Sequence, residues 1–313
     1  MICEDWRDVP AAALRPAYDA ERRRWATTLH WDLGTAWALV EQARAEGRLP
    51  GLVARTARGE VHGWAFYLTS DDTLQIGALC ATNAATVRLL LDRILASPDA
   101  ALARRLALFG WPEHAALEVA LARRRFALAR HLYLVRDLSP DLAPSTPVRA
   151  ASLRPWQDVD APAVVRLFEE AYRGERAAEC FAPQGRREQW ARYVGQLLHT
   201  PGCGRFVPEL TVSAPGQAAG TLDGLAFLTT IAPGIAHLAQ MAVAPSARGE
   251  GLAGRLLADA MHTAAAAHYR QVTLLVAEDN QPARRLYARA GFTERASFIY
   301  ASRPVPNRLA RSA

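Results

Sequence analysis

Apolar positions recur at two spacings along this chain, and the spacing switches from segment to segment. Residues 159–173 and 186–199 place them every three or four positions, which predicts helices with one buried face. Residues 208–213, 224–231 and 236–243 are short apolar runs bounded by glycine and proline, which predicts three strands joined by turns. A helix is predicted over 251–267, a strand over 271–277, a helix over 282–290 and a strand over 292–302. Gly291 stands where a left-handed residue would end the preceding helix. A strand at 148–153 opens this half. The first half gives the same order: a helical start over 14–46, strands at 52–55, 61–69, 74–81, 106–109 and 131–135, and helices at 84–96 and 113–125. It shows no clear first strand.

The halves share more than their order. Gly59, Gly63, Ala65 and Phe66 match Gly220, Gly224, Ala226 and Phe227 at a constant offset, each set reading as a turn followed by a strand. The helix before Phe126 corresponds to the helix before Gly291 and Phe292, and an apolar strand follows each. This is the pattern of a duplication. Residues 139–147 hold three prolines and no periodicity, so they are read as a linker. The expected domains are 1–138 and 148–313.

Composition narrows the classes. The chain has 313 residues, 50% hydrophobic and 22% charged, which suits two packed cores and excludes a disordered chain. No apolar run reaches the ~20 residues of a membrane helix. Residues 1–6 have neither a basic nor an apolar signal region, so no secretory signal is expected. Cys3, Cys80, Cys180 and Cys203 are too scattered to be metal ligands and are read as free thiols in a reducing compartment, the cytoplasm. No metal site is expected. Basic minus acidic residues gives 37 − 31 = +6, and all 37 basic residues are arginine. Without lysine there is no P-loop lysine, Schiff base or lysine general base. Divided after Ser145, the first half holds 18 Arg against 17 acids (+1) and the second 19 against 14 (+5). The arginine runs at 22–24 and 123–125 lie on helices of the nearly neutral half. They are read as solvated helix faces, not a nucleic-acid surface.

The segment 241–255 carries the clearest chemistry. A strand runs into a turn containing Gly249 and Gly251 that opens a helix, and Gly254 lies on its first turn. Glycines let the backbone come close to a ligand. The first-turn N–H groups lack intrahelical partners and the helix dipole is positive there, so the segment suits a phosphate or pyrophosphate.

Arg248, Gly251 and Ala253 also fit the pattern Q/R-x-x-G-x-G/A, and residues 238–245 have the form of a central strand ending in Val243 and Pro245. Downstream, Leu274, Val276, Asn280, Ala283, Leu286, Tyr287, Gly291 and Phe292 follow at set spacings. In these three signals, residues 148–303 resemble the GNAT N-acetyltransferase superfamily. The resemblance implies an α/β (α+β) fold class: two tandem GNAT-like domains, each a mixed, mostly antiparallel central sheet flanked by helices. It implies acetyl-CoA as the cofactor, and acetyl transfer to an amine that attacks the thioester directly. The acceptor is expected to be a small-molecule or peptide amine, with no nucleic-acid or membrane partner, and the protein a monomer or homodimer. The alternative is a non-catalytic acyl-CoA-binding or sensing protein with the same loop.

The family's roles transfer residue by residue. The amides of Gly249, Glu250, Gly251, Leu252, Ala253 and Gly254 would hold the pyrophosphate, with Arg248 alongside. Met241, Ala242 and Val243 would hydrogen-bond the pantetheine, one of their amides polarising the thioester carbonyl. Asn280 would contact the pantetheine or adenine-side arm, and Arg284 would reach the phosphates or else face solvent. Tyr287 would donate a proton to the departing thiolate, or else only pack its helix. His237 stands six residues before Val243, where one branch of the family carries its base. Glu209 is its rival, and a water chain without a dedicated base is the third reading. Tyr172, Phe181, Trp190 and Tyr193 would shape the acceptor pocket or belong to the core, with 174–185 as a flap.

The first half has lost these features. Cys80 to Leu89 spans nine steps against thirteen from Val243 to Leu256, and the shorter connection contains no glycine. Leu121 stands opposite Tyr287 and His114 opposite Asn280. A degenerate copy that does not bind CoA in the usual way is expected.

Overall fold

Two units divide the chain, and neither is one continuous stretch. The first comprises Met1–Thr28, Leu33–His131 and Ser297–Ala313, and the second Leu29–Asp32 and Leu132–Ala296. The computed structural model describes residues 1–111, 115–138, 153–200 and 202–305. The expected linker at 139–147 lies outside the described residues. The fold is α+β, with mixed, largely antiparallel strand pairing.

In chain order the elements are β1 (Ile2–Asp5), α1 (Ala11–Leu29), α2 (Gly34–Ala45), β2 (Gly51–Arg55), β3 (Val61–Ser70), β4 (Thr73–Ala81), α3 (Ala84–Leu95), α4 (Pro98–Leu102), β5 (Arg105–Gly110), α5 (Ala116–Arg123) and β6 (Ala127–Asp137). There follow β7 (Arg154–Pro155), α6 (Ala161–Ala171), α7 (Arg187–His199), β8 (Arg205–Phe206), β9 (Val212–Pro215), β10 (Leu222–Ala232), β11 (Ile235–Val243), α8 (Leu252–Ala266), β12 (Gln271–Ala277), α9 (Gln281–Arg289) and β13 (Thr293–Pro304). Strand order in the first unit is β1-β2-β3-β4-β5, with the end of β13 on β5. In the second it is β6-β12-β11-β10-β9-β7, with β8 also on β10.

Several elements depart from the sequence expectation: α4 and β8 are not among the expected elements, and the strand expected at 148–153 lies, but for Leu153, outside the described residues. The first half does have a first strand: β1 pairs with β2 from Ile2↔Arg55 to Asp5↔Leu52, and Glu4 forms an ion pair with Arg55. Four residues with one branched apolar side chain are too short a run to show alternation. The helical start breaks into α1 and α2, with His30 at φ +55° between them. Residues 208–210 form a 3-10 turn instead of a strand; the strand begins at Val212.

The matched residues of the two halves occupy the same local geometry. In the second unit Gly224 pairs with Val243, and a bulge lies between Phe227 and Leu228. In the first unit Gly63 pairs with Ala81, and a bulge lies between Phe66 and Tyr67. The parallel ladder beside each bulge has four pairs, Ile235↔Gln271 to Leu238↔Leu274 and Thr73↔Arg105 to Ile76↔Leu108. The glycines are small because the following helix packs on them. A Cβ on Gly224 would lie 2.7 Å from Leu256 of α8, and one on Gly63 would lie 2.6 Å from Thr86 of α3.

The bulge on β11 has a further effect. Ala236 and Leu238 face the core beneath α8 and α9, but beyond Ala239 it is Ala242 and Ala244 that face the core beneath α6 and α7. One extra residue reverses which face each later side chain reaches.

Candidate active site

The parallel ladder between β11 and β12 stops at Leu238↔Leu274, although β11 runs on to Val243 and β12 to Ala277. The end of β11 therefore has β10 on one side and an open edge on the other. Ala244 N–H donates to Asp223 at 2.8 Å on the β10 side. By the alternation of an antiparallel pair, Ala242 also bonds towards β10, while Met241 and Val243 point their N–H and C=O groups to the open edge. Of the three residues expected at the pantetheine, Met241 and Val243 present backbone groups there and Ala242 does not.

Past β11 the chain turns through Pro245–Ala247 and reaches α8 by Gly249 (φ +86°) and Gly251 (φ +75°). Gly251 is the N-cap of α8 and brings no side-chain cap. Asn83, Ser97 and Asn280 cap α3, α4 and α9 with a side-chain oxygen; α2, α5, α6 and α7 also begin without one, but α8 alone among these begins at a left-handed glycine. The α8 terminus thus keeps its first amides, from Leu252, Ala253 and Gly254, without a cap. This is a donor-rich, positive end beside the open strand edge.

The nearby side chains brace this loop. Arg248 donates to the Ala171 carbonyl at 2.7 Å, tying the loop to the end of α6, so its guanidinium is partly committed to the protein. Arg255, one turn into α8, donates back to the Glu250 carbonyl at 2.7 Å. Asn280 uses its Oδ1 to cap α9 through Ala283 N–H at 3.1 Å, and its amide nitrogen bonds none of the described residues. Arg284 donates to the Glu278 carbonyl at 3.1 Å and is half-buried.

Tyr287 is buried in the core beneath α8 and α9, with its ring edge-on to Phe292 at 5.8 Å. Among the described residues its hydroxyl has no hydrogen-bond partner, yet it is not one of the sealed polar atoms left unpaired. Burial pushes its pKa up, so it holds its proton at neutral pH.

Tyr172 lies at the end of α6, close enough to Tyr287 for the two phenols to interact electrostatically. Its hydroxyl donates to Gln240 Oε1 at 2.6 Å and lies 3.1 Å from the Met241 carbonyl oxygen. Gln240 Nε2 in turn donates to the Tyr193 hydroxyl of α7 at 2.8 Å. Gln240 was not legible as a site residue; its side chain reaches α6 and α7 only because of the bulge. Trp190 is 1% exposed and belongs to the core, stacked on Tyr172 at 5.4 Å, while Phe181 packs on Tyr193 at 4.8 Å. The expected flap contains a 3-10 helix, Arg176–Cys180, and buries Ala178 and Ala182.

The two expected bases lie on β11 and on the turn before β9. His237 is 2% exposed, its ring 4.9 Å from Trp31 and 6.4 Å from Tyr133, and its Nδ1 lies 2.8 Å from the Thr273 hydroxyl. Desolvation lowers its pKa to about 3, so it is neutral at neutral pH and a weak base. Glu209 lies on the 3-10 turn Pro208–Leu210, next to α8 and β10.

In the first unit the corresponding step is short. Two residues, Thr82 and Asn83, separate β4 from α3, against eight between β11 and α8, and Asn83 accepts from Thr86 N–H at 2.9 Å to cap the helix. Leu121 occupies the place of Tyr287: Phe126 N–H bonds its carbonyl at 3.1 Å, as Phe292 N–H bonds that of Tyr287 at 3.0 Å. His114 lies outside the described residues. Among the described residues no group of three His, Cys, Asp or Glu could hold a metal, and no helix is long and apolar enough to cross a membrane.

Comparison with known proteins agrees with this geometry. Residues 161–292 match the acetyltransferase (GNAT) family. No curated protein matches the sequence. A GCN5-related N-acetyltransferase from Sphaerobacter thermophilus is similar over 96% of this chain and 95% of its own, at 18% identity and a TM-score of 0.64. A tandem GNAT protein from the clavulanic acid biosynthesis pathway is similar over 83% of this chain and 84% of its own, at 20% identity and a TM-score of 0.55. A GNAT-family acetyltransferase from Colwellia psychrerythraea covers 97% of this chain and 100% of its own, at 15% identity and a TM-score of 0.54. With an open strand edge leading into an uncapped, glycine-opened helix, the chain has the GNAT-superfamily acetyltransferase fold.

Proposed function

We propose that this protein is an acetyl-CoA-dependent N-acetyltransferase, acting in the cytoplasm on a small-molecule or peptide amine that attacks directly, without an acyl-enzyme. One observation carries the reading: the open end of β11 runs through the left-handed Gly249 and Gly251 into α8, whose N-cap brings no side chain to its first amides. That terminus fits a pyrophosphate, because uncapped amides and the helix dipole both favour an anion. Acetyl-CoA, when bound, supplies the acetyl group. The amides from Gly249 to Gly254 would hold its phosphates, braced by Arg248 and Arg255. Met241 and Val243 would bond its arm from the open edge, with the Asn280 amide nitrogen as a further donor. Tyr287 holds the proton that the leaving thiolate needs. No role as base is assigned to His237 or Glu209; a water on the open edge takes the amine proton.

The first half is read as a degenerate second copy that does not bind CoA in the usual way. The shared register supports duplication, and the Asn83 cap and Leu121 support the loss. None of the four cysteines forms a disulfide among the described residues, which fits a reducing compartment.

The test is calorimetric titration with acetyl-CoA, then thiol release across a panel of amines. Binding with turnover supports the reading. Binding without turnover of any amine would favour an acyl-CoA sensor, and no binding would overturn both. Gly251→Val should weaken acetyl-CoA binding about tenfold, since a β-branched residue in the left-handed region costs about 1–2 kcal/mol. The space itself is open: a Cβ there would lie 3.8 Å from Arg255 Nη1, so the effect is conformational. A further expected result concerns the enzyme itself. With no lysine, prolonged incubation with acetyl-CoA should leave its intact mass unchanged except for one acetyl group at the α-amino terminus.

A further inference from the structure

The open edge of β11 offers acceptors as well as donors. A bare edge carries a C=O beside every N–H, and would suit another strand as well as a small ligand. Here the Met241 carbonyl has a neighbour, the Tyr172 hydroxyl at 3.1 Å, whose stronger bond is to Gln240 Oε1 at 2.6 Å. Gln240 is 5% exposed and passes the contact on to Tyr193 at 2.8 Å. The residue before Tyr172 is Ala171, whose carbonyl accepts from Arg248 at 2.7 Å. Two consecutive residues at the end of α6 therefore hold both the bulged strand end and the first residue of the glycine turn.

We propose that Tyr172 is a positioning residue: its hydroxyl holds the Gln240–Met241 segment so that the outward N–H groups of Met241 and Val243 form a fixed pair of donors. The proposal rests on the acetyltransferase reading for its ligand, but not for its geometry. The bulge makes it necessary. Beyond Ala239 the strand has lost β12 as a partner, and a bulged strand with one neighbour has only the β10 ladder to fix its peptide planes. Tyr172 supplies the missing restraint from the α6 side. Tyr172 does not touch the departing group in this scheme; Tyr287, whose hydroxyl bonds no described residue, does. The end of α6 thus links the acceptor-side helices to the cofactor edge.

The experiment compares the full-length wild type with Tyr172→Phe in two measurements. The first is hydrogen exchange of the Ala242 and Ala244 amides without ligand; the second is acetyl-CoA affinity by calorimetry. Loss of one neutral hydrogen bond should speed exchange at these amides about fivefold relative to those of α8, and weaken acetyl-CoA binding about fivefold. Thiol-release kinetics should show the change in KM for acetyl-CoA more than in kcat, which mere loss of global stability would not produce. Unchanged exchange would overturn the proposal, as would unchanged affinity in a variant whose wild type binds. Should the wild type itself fail to bind acetyl-CoA, the functional reading falls, and the exchange measurement alone still decides whether Tyr172 holds the strand. If Tyr172→Phe does not fold because Gln240 loses its partner, Tyr172→Phe with Gln240→Leu removes both groups and is measured in the same way.

Discussion

Replacing Tyr287 with phenylalanine is expected to lower kcat roughly 10²-fold while leaving acetyl-CoA affinity within about a factor of two. A positioned general acid contributes on the order of 10²–10⁴ in rate, and the low end suits a thiolate, which can leave without full protonation. The substitution is unusually clean. The ring stays, so the edge-on contact with Phe292 at 5.8 Å and the burial beneath α8 and α9 are kept. The hydroxyl bonds no described residue, so its removal strands no partner, and thermal stability should be unchanged or slightly raised. Thiol release under saturating acetyl-CoA and amine measures kcat, and calorimetry measures affinity. Full turnover in the variant would remove Tyr287 from the mechanism. A loss of turnover with equal loss of affinity would mean that the hydroxyl binds instead of donating.

Much of the glycine turn and the helix it opens was legible in the sequence, because it depends on local chemistry. Gly249 and Gly251 take left-handed conformations that favour glycine, and both do so where the pattern placed them. Strand β12 falls at Gln271–Ala277, as its continuous apolar run predicts. The face of β11 towards α6 and α7 was less legible, since it depends on long-range geometry. The bulge at Ala239 swaps the faces of β11, and simple alternation gives no sign of it. Reading straight through would put Gln240 with Leu238 under α8, when it meets Tyr172 and Tyr193 instead. Arg248 looked like a phosphate ligand from its spacing, but its partner, the Ala171 carbonyl, lies 77 residues away. The segment Leu29–Asp32 was hidden in an apparent continuous helix. It belongs to the second unit, where the Leu29 carbonyl accepts from the Tyr133 hydroxyl at 2.8 Å and Asp32 N–H donates to Ile231 at 2.9 Å. Trp31, carried by that segment, is what buries His237.

That burial gives His237 a measurable signature. Its folded pKa is about 3, below the ordinary value of 6.5, because the charged ring would lose its hydration between Trp31 and Tyr133. Between these values the unfolded chain binds a proton that the native state does not, so stability rises with pH across the window. The contribution is fully present above about pH 6.5 and is lost as pH falls towards 3, at up to about 1.4 kcal/mol per unit. From pH 6.5 to 5, above the usual carboxylate range, the expected loss is about 2 kcal/mol. Urea denaturation at fixed pH values measures it, with His237→Gln as the comparison: the variant keeps a polar side chain facing Thr273 but cannot be charged. Its unfolding free energy should be flatter over this window by about that amount. Parallel lines for the two proteins would mean that His237 is solvated and can serve as a base. If the slope is found, a limb near pH 6.5 in the kcat/KM profile must belong to another group, and the amine proton leaves by way of water.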